Sequence, residues 1–508
     1  MVDNNHFSRQ PSAEEDRTPA FLQSHIRHII YIIKENRTYD QILGDLEVGN
    51  GDPRLTEFGS AVTPNQHNLA SQFVDLDNFY DTAEVSMDGW PWSTAAHATD
   101  VVERQTPVEY ADRGLSYDSE GANRNVNVGL PTLAARLAAN PLTPNDPDVL
   151  PGTANTAAPD GPEGQQGAGF LWDAALRAGL SVRNYGFFID EARYDLKTAQ
   201  EYSIPENPTP FSHGIVVAYA TSPALRPYTD PYFRGFDMSF PDYYRFTEWQ
   251  REFNTYYANG GLPNLTLLRL PHDHTGSYDL AIAGVNTPEL DVADNDYAVG
   301  LVVQTIANSR YKYDTLIFII EDDAQDGGDH VDAHRSIAFV VGPYVKRKWT
   351  VPTSYNTLSM FRTIEDILGT GHQNLNDALA VPMANLFDTF EKEWSFSAVP
   401  SDYLCGTQLN LPACQVARHR VLYPTHTAEY WAKVTEGMDF SIEDHVDGKQ
   451  FNRILWQGLM GDQPYPSSPS GLDLRANRQQ LLQRCRANLK QRSAPPVESP
   501  APSGGGGQ

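Results

Sequence analysis

At Phe318-Ile319-Ile320-Glu321-Asp322-Asp323 an apolar run ends abruptly in carboxylates, and the chain continues Ala324-Gln325-Asp326-Gly327-Gly328-Asp329-His330. Five acidic groups fall within nine residues, from Glu321 to Asp329. Folding presses these like charges together, which is tolerated where a cation neutralises them. The spacing is not that of an EF-hand: counting from Asp322, the third position is Ala324 and the twelfth is Ala333. Two other segments carry matching chemistry. Glu35-Asn36 follows the apolar run His28 to Ile33, and Ser86 lies in Glu84-Val85-Ser86-Met87-Asp88-Gly89, ahead of a helix expected from Ser93. Helix N-termini favour anions, so a serine just before one can present its hydroxyl to a phosphate. Carboxylates from neighbouring strand ends can hold the metal that lowers the pKa of that hydroxyl.

Placing these groups together is the task of the elements around them. His25 to Ile33 and Thr315 to Ile320 read as buried strands, with further strands at Phe73 to Phe79, Ser181 to Ile189, Asn264 to Leu270 and Ser336 to Val341. Helices are expected at Ser93 to Arg104, Gly169 to Ala178, Asp242 to Ala258, Asp294 to Asn308 and Thr357 to Leu368. Strands alternating with helices favour a parallel sheet covered on both faces. In such sheets ligands sit at the carboxyl ends of strands, which is where the acidic groups lie. Residues 1–24 read as a polar arm, 25–395 as the main domain, 396–492 as a helix-and-loop extension packed on it, and 493–508 as a disordered tail. Segments 105–165 and 190–237 have little periodicity, and 105–165 and 190–260 read as cap insertions.

The chain has 508 residues and a net charge of -27. That acidity leaves nothing basic to neutralise phosphates, so no nucleic-acid partner is expected. No apolar run reaches the length of a membrane span, so no integral span is expected. Met1 to Asp16 is polar and no signal peptide is visible, which fits either a cytoplasmic protein or a chain that begins after a removed leader. Of three cysteines, Cys405 and Cys414 are close enough to pair across a loop, leaving Cys485 over; two free buried thiols are an equal reading. Arg234 and Arg269 read first as salt-bridge partners and second as phosphate clamps. The aromatic stretch Tyr228 to Tyr244 reads as core or cap packing.

His28 to Gly44 (HIIYIIKENRTYDQILG) resembles the opening motif of the bacterial phosphoesterase family, which contains phospholipase C-type enzymes and a branch of acid phosphatases. Asp77 to Ser93 (DNFYDTAEVSMDGWPWS) resembles its nucleophile segment, Ile320 to Arg335 (IEDDAQDGGDHVDAHR) its metal segment, and Leu270 to Thr275 (LPHDHT) its histidine segment. The likeness is strongest to a subgroup in which this domain often follows a surface-antigen-like β-propeller; no propeller is read in this sequence. It runs from about residue 25 to 395, and more loosely to about 475.

The resemblance implies an alkaline-phosphatase-like fold: a doubly wound, mostly parallel sheet with helices on both faces and long cap insertions. It implies one divalent cation (calcium, magnesium, manganese and zinc are not distinguished) held by Glu35, Asn36, Ser86, Asp322 and Asp323. Ser86 matches the nucleophile, and His67, His272 and His274 match active-site histidines. Asp329, His330 and His334 fit a role in orienting the ligands. Trp90 stands where many relatives have histidine. The function implied is hydrolysis of phosphoric esters through a serine phosphoenzyme, on small soluble monoesters. The alternatives are a phospholipase C-type phosphodiesterase and a catalytically silent metal-binding surface module. A phosphomutase of the same superfamily would need a second substrate-holding domain that is not identified. The family is periplasmic or secreted, while the missing leader keeps a cytoplasmic location open.

Overall fold

The computed structural model describes residues 13–109, 169–191, 206–220, 224–325, 327–416, 420–440 and 446–466, with short pieces at 118–119, 122–123, 132–139 and 222. The run His28-Ile29-Ile30-Tyr31-Ile32-Ile33-Lys34 has no polar alternation, as a strand buried on both faces requires. It forms β1 (His28–Lys34), the central strand of five. The others are β2 (Val182–Tyr185), β3 (Leu265–Arg269), β4 (Thr315–Glu321) and β5 (Ala338–Val341). The spatial order is β5-β4-β1-β3-β2. All pairings are parallel except β5, which runs antiparallel to β4 at the edge. Every residue of β3, β4 and β5 is buried.

Helices α1 (Ala13–His25), α2 (Pro64–Gln72), α3 (Ser86–Ala95), α4 (Asp242–Asn259), α5 (Pro288–Ala307), α6 (Thr357–Leu368) and α7 (Gly448–Met460) flank the sheet. Six of these helices fall into two packed groups: α6 with α1 and α3, and α5 with α4 and α2. Leu404, Trp431, Phe451 and Leu455 from the C-terminal segment belong to the same buried core as Ile30 and Phe318.

Register does the positioning. His28 lies opposite Thr315 and Lys34 opposite Glu321. Glu35 and Asp322 follow the paired ends directly, and the Asn36 amide lies within 3.2 Å of both Asp322 and Asp323. On the other side of β1, Ile33 lies opposite Arg269.

The structure differs from expectation in several places. The helix expected from Ser93 begins at Ser86 and ends at Ala95, and a separate helix covers Asp100–Glu109. Gly89 and Pro91 are poor helix formers and mask that start in the sequence. The α5 helix starts at Pro288, a residue preorganised for a first helical position. Residues 13–25 of the expected arm are helical, and Leu22 is buried. Phe73 to Phe79 is no single strand: Val74–Asp75 pairs with Trp349–Thr350, and Phe79–Tyr80 with Tyr355–Asn356. Cys405 and Cys414 form a disulfide. Most of 105–165, the tail and Cys485 lie outside the described residues.

Candidate active and metal site

Four oxygen-bearing side chains from three chain segments converge at the carboxyl ends of β1 and β4. Ser86, the first residue of α3, has its Oγ 2.7 Å from Asp323 Oδ2 and 3.1 Å from Asn36 Oδ1. The hydroxyl has one proton, and the shorter contact, to Asp323, takes it. The Asn36 amide group that faces Ser86 also lies 3.0 Å from Asp322 Oδ1 and 3.2 Å from Asp323 Oδ2. Ser86, Asn36, Asp322 and Asp323 are all buried. The α3 helix approaches this closely because Gly89 has no side chain: a Cβ there would sit 2.7 Å from the Asp322 carbonyl oxygen.

Glu35 stands beside this group. Arg269 Nε donates to Glu35 Oε1 at 2.8 Å, and the guanidinium carbon lies 4.6 Å from the Trp90 ring centroid. Trp90 therefore braces the arginine that pairs with Glu35, and it is fully buried. Burial, with repulsion from Asp322, raises the Glu35 carboxyl well above the usual range despite Arg269. Burial likewise raises Asp323, with Asp81, Glu35 and Asp88 adding repulsion. Charge is thus expensive here, and the donor set fits a cation: Glu35 Oε2 and Asp323 Oδ1 are buried with no hydrogen-bond partner among the described residues. An all-oxygen set suits a hard divalent ion.

Beneath the site Lys34 Nζ bridges Asp273 Oδ2 at 2.5 Å and Glu321 Oε1 at 2.6 Å. The Glu35 backbone N–H donates to Asp273 Oδ1, and Arg37 donates to the carbonyls of Asp273 and His274. The β1 terminus and the segment after β3 are therefore tied together.

Four of the expected histidines lie in networks of their own. His272 is held between Asp294 Oδ2 (2.7 Å) and the Met238 carbonyl (3.2 Å). Burial opposes its charge, but Asp291, Asp294 and Asp242 push its pKa up to about 9. His274 is pulled down to about 4 by burial and packs against Phe236 and Phe451. His67, on α2, bonds Asp45 and the Thr63 carbonyl. His330 Nδ1 lies 2.6 Å from Asp40 Oδ2. Asp40, Asp329 and His330 form a cluster of metal-ligand type, but the Arg335 guanidinium already bridges Asp40 (3.0 Å) and Asp329 (2.9 Å). That network pins the loop after β4 against the chain after β1. Arg234 pairs with Asp237.

His334 is different. It is half-buried, bonds Asp332 and Glu84, and lines a cavity of about 250 Å³ with Val85, Gln325 and Lys449. Burial opposes its charge, but those two carboxylates raise its pKa above the usual value. Val85 adjoins Ser86 in the chain, which places this cavity next to the serine's helix start.

Sequence reasoning missed Lys34, Asp81 and Gln325. All three lie inside quoted motifs, which was a usable signal; what each touches, Gln325 above all, depends on contacts across the fold.

No known family model matches the chain, and no curated protein matches it. Several solved structures are similar in chain course. One is a protein in the alkaline phosphatase superfamily from Vibrio parahaemolyticus, with 13% identity over 70% of this chain and 78% of that chain, at a TM-score of 0.35. A second is the lipoteichoic acid synthase LtaP from Listeria monocytogenes, with 12% identity over 74% and 80%, at 0.39. A third is the PsFucS1 sulfatase from Pseudoalteromonas sp., with 12% identity over 76% and 77%, at 0.43.

Proposed function

We propose that this protein is a metal-dependent hydrolase of phosphoric esters, with Ser86 as nucleophile. The observation that carries the proposal is the Ser86 hydroxyl at a helix start, 2.7 Å from Asp323 Oδ2 and among the oxygens of Asn36 and Asp322. Glu35, Asn36, Ser86, Asp322 and Asp323 would hold the divalent cation, which would acidify the serine hydroxyl and offset charge on the phosphoryl oxygens. Ser86 Oγ attacks phosphorus while its proton passes to Asp323, the nearest acceptor. The P–O bond to the leaving alcohol breaks, and the alcohol oxygen takes a proton. Water then hydrolyses the phosphoserine and releases phosphate. The N-terminus of α3 favours the anionic substrate.

We assign protonation of the leaving group to His334 in place of His272 or His274. His272 is fully enclosed between Asp294 and the Met238 carbonyl, and burial holds His274 neutral at ordinary pH; neither lines the cavity. His334 combines access to the cavity with a pKa above the usual value. His67, Asp329 and His330 take structural roles.

Small soluble esters suit the site better than lipids in a bilayer. Of the aromatics that could form an interfacial surface, Trp90, Phe233, Phe236 and Phe240 are buried, and Trp92, Tyr228, Tyr232, Tyr243 and Tyr244 are half-buried. Among the described residues no helix is long and apolar enough to cross a membrane. The Cys405–Cys414 bond fits an oxidising compartment, which supports a periplasmic or secreted location.

The test is turnover of p-nitrophenyl phosphate beside the bis-ester, p-nitrophenyl sulfate and phosphatidylcholine liposomes. The sulfate ester matches the phosphate in shape with one charge fewer. Phosphomonoester turnover that falls by several orders of magnitude in Ser86→Ala is expected. Faster turnover of the liposomes or the sulfate would reassign the substrate, and full activity in Ser86→Ala would remove the nucleophile.

A further inference from the structure

An asparagine ligand can present either an oxygen or a nitrogen, depending on how its amide is turned. Asn36 has both options. In one orientation its Nδ2 donates to Gln325 Oε1 at 2.5 Å, and Oδ1 faces Ser86, Asp322 and Asp323. In the other, Nδ2 donates to Ser86 Oγ, Asp322 Oδ1 and Asp323 Oδ2, and the Asn36 oxygen faces Gln325, whose own amide must then turn as well. The second arrangement satisfies the carboxylates without a cation. Only the first offers a ligand oxygen.

We propose that Gln325 is a positioning residue for the cation site: its side-chain oxygen holds the Asn36 nitrogen and so aims Asn36 Oδ1 at the ion. The inference rests on the metal-site reading above and adds a residue to it. Both partners are held in unusual backbone. Asn36 has φ 64 and Gln325 φ 34, a left-handed region that non-glycine residues adopt only when their surroundings impose it. For Gln325 those surroundings come from α7. Asn452 Nδ2 donates to the Gln325 carbonyl at 2.7 Å. Gly448 passes so close that a Cβ there would sit 2.9 Å from Gln325 Cγ. The C-terminal segment therefore sets Gln325, Gln325 sets the amide of Asn36, and cation affinity depends on a helix that supplies no ligand.

The test is calorimetric titration of calcium, magnesium, manganese and zinc, each separately, into the full chain after chelation. Gln325→Met keeps the length of the side chain and removes the acceptor. Gln325→Glu keeps an oxygen acceptor that cannot donate. Asn452→Ala leaves Gln325 intact and loosens its backbone. For the ion that binds the wild type, Gln325→Met should bind roughly tenfold more weakly, the usual scale for losing a partner that orients a ligand. Gln325→Glu should restore wild-type affinity or better, and Asn452→Ala should weaken binding in the same direction. Chelated Gln325→Met should unfold at the wild-type temperature, which separates positioning from folding. Wild-type affinity in Gln325→Met, or equal losses in the Met and Glu variants, would overturn the inference while leaving the metal site standing. A wild type that binds none of the four ions would instead defeat the metal-site reading, and the positioning role with it.

Discussion

Replacing Lys34 by methionine tests the foundation of the site. Lys34, Asp273 and Glu321 are each 0% exposed, and the ammonium lies within 2.6 Å of a carboxylate oxygen on either side. Burial alone would favour the neutral amine, but Asp273 and Glu321 hold Lys34 protonated, with its pKa above the ordinary value. Burial, then repulsion from Asp273, already holds Glu321 well above the usual carboxylate range. Lys34→Met preserves most of the volume and leaves two buried carboxylates facing each other. Removing one partner of a buried ion pair costs about 3–5 kcal/mol, a large share of the ~5–15 kcal/mol that holds a typical fold. Without the ammonium, Glu321 should titrate higher still. A carboxyl whose folded pKa is raised contributes stability that is present below its unfolded pKa, ~4.3, and is lost as pH rises through the folded value. The deficit of Lys34→Met in urea unfolding should therefore be largest near pH 8 and shrink toward pH 5. The double variant Lys34→Met/Glu321→Gln should recover part of the loss at pH 8. An equal deficit at both pH values would mean that packing, not charge, is responsible. No deficit at all would refute the buried trio.

Gly89→Ala should cost about 1–3 kcal/mol by overpacking, because its Cβ would meet backbone rather than a yielding side chain. Its loss of turnover should exceed what the stability change explains, since the collision moves Ser86 away from Asp323; matched thermal-melt and rate measurements decide this. His334→Gln should lower turnover on the order of 10²-fold. The wild-type rate should fall as pH rises through the elevated pKa of His334, because the protonated form is the acid, and the variant should lose that alkaline limb. An unchanged pH profile would return the role of acid to another group.

That Glu35, Asn36, Asp322 and Asp323 would come together was legible because they sit at strand ends. An apolar run that stops at Glu35-Asn36, and another that stops at Asp322-Asp323, are local patterns. Parallel in-register pairing of β1 and β4 is enough to bring the two together. The strand-helix alternation likewise announced a mostly parallel sheet, and Thr357 to Leu368 was read to the residue.

What the sequence could not decide were partners chosen by packing. Seven of the chain's fourteen histidines drew attention as sequence alone, but hydrophobic periodicity says nothing about which carboxylates surround each one. Only the folded chain sets three aspartates about His272, Phe236 and Phe451 against His274, and Glu84 and Asp332 on His334. The start of α3 at Ser86 was hidden by Gly89 and Pro91, whose poor propensity is overridden once a bare backbone is needed against Asp322. Trp90, a departure from the resemblance, became intelligible only as the surface on which Arg269 rests. Gln325 owes its place to Asn452 and Gly448, more than a hundred residues later in the chain. Local pattern encodes which segments are buried and where they end; register and side-chain packing, which join distant segments, determine what each buried polar group touches and which protonation state it holds.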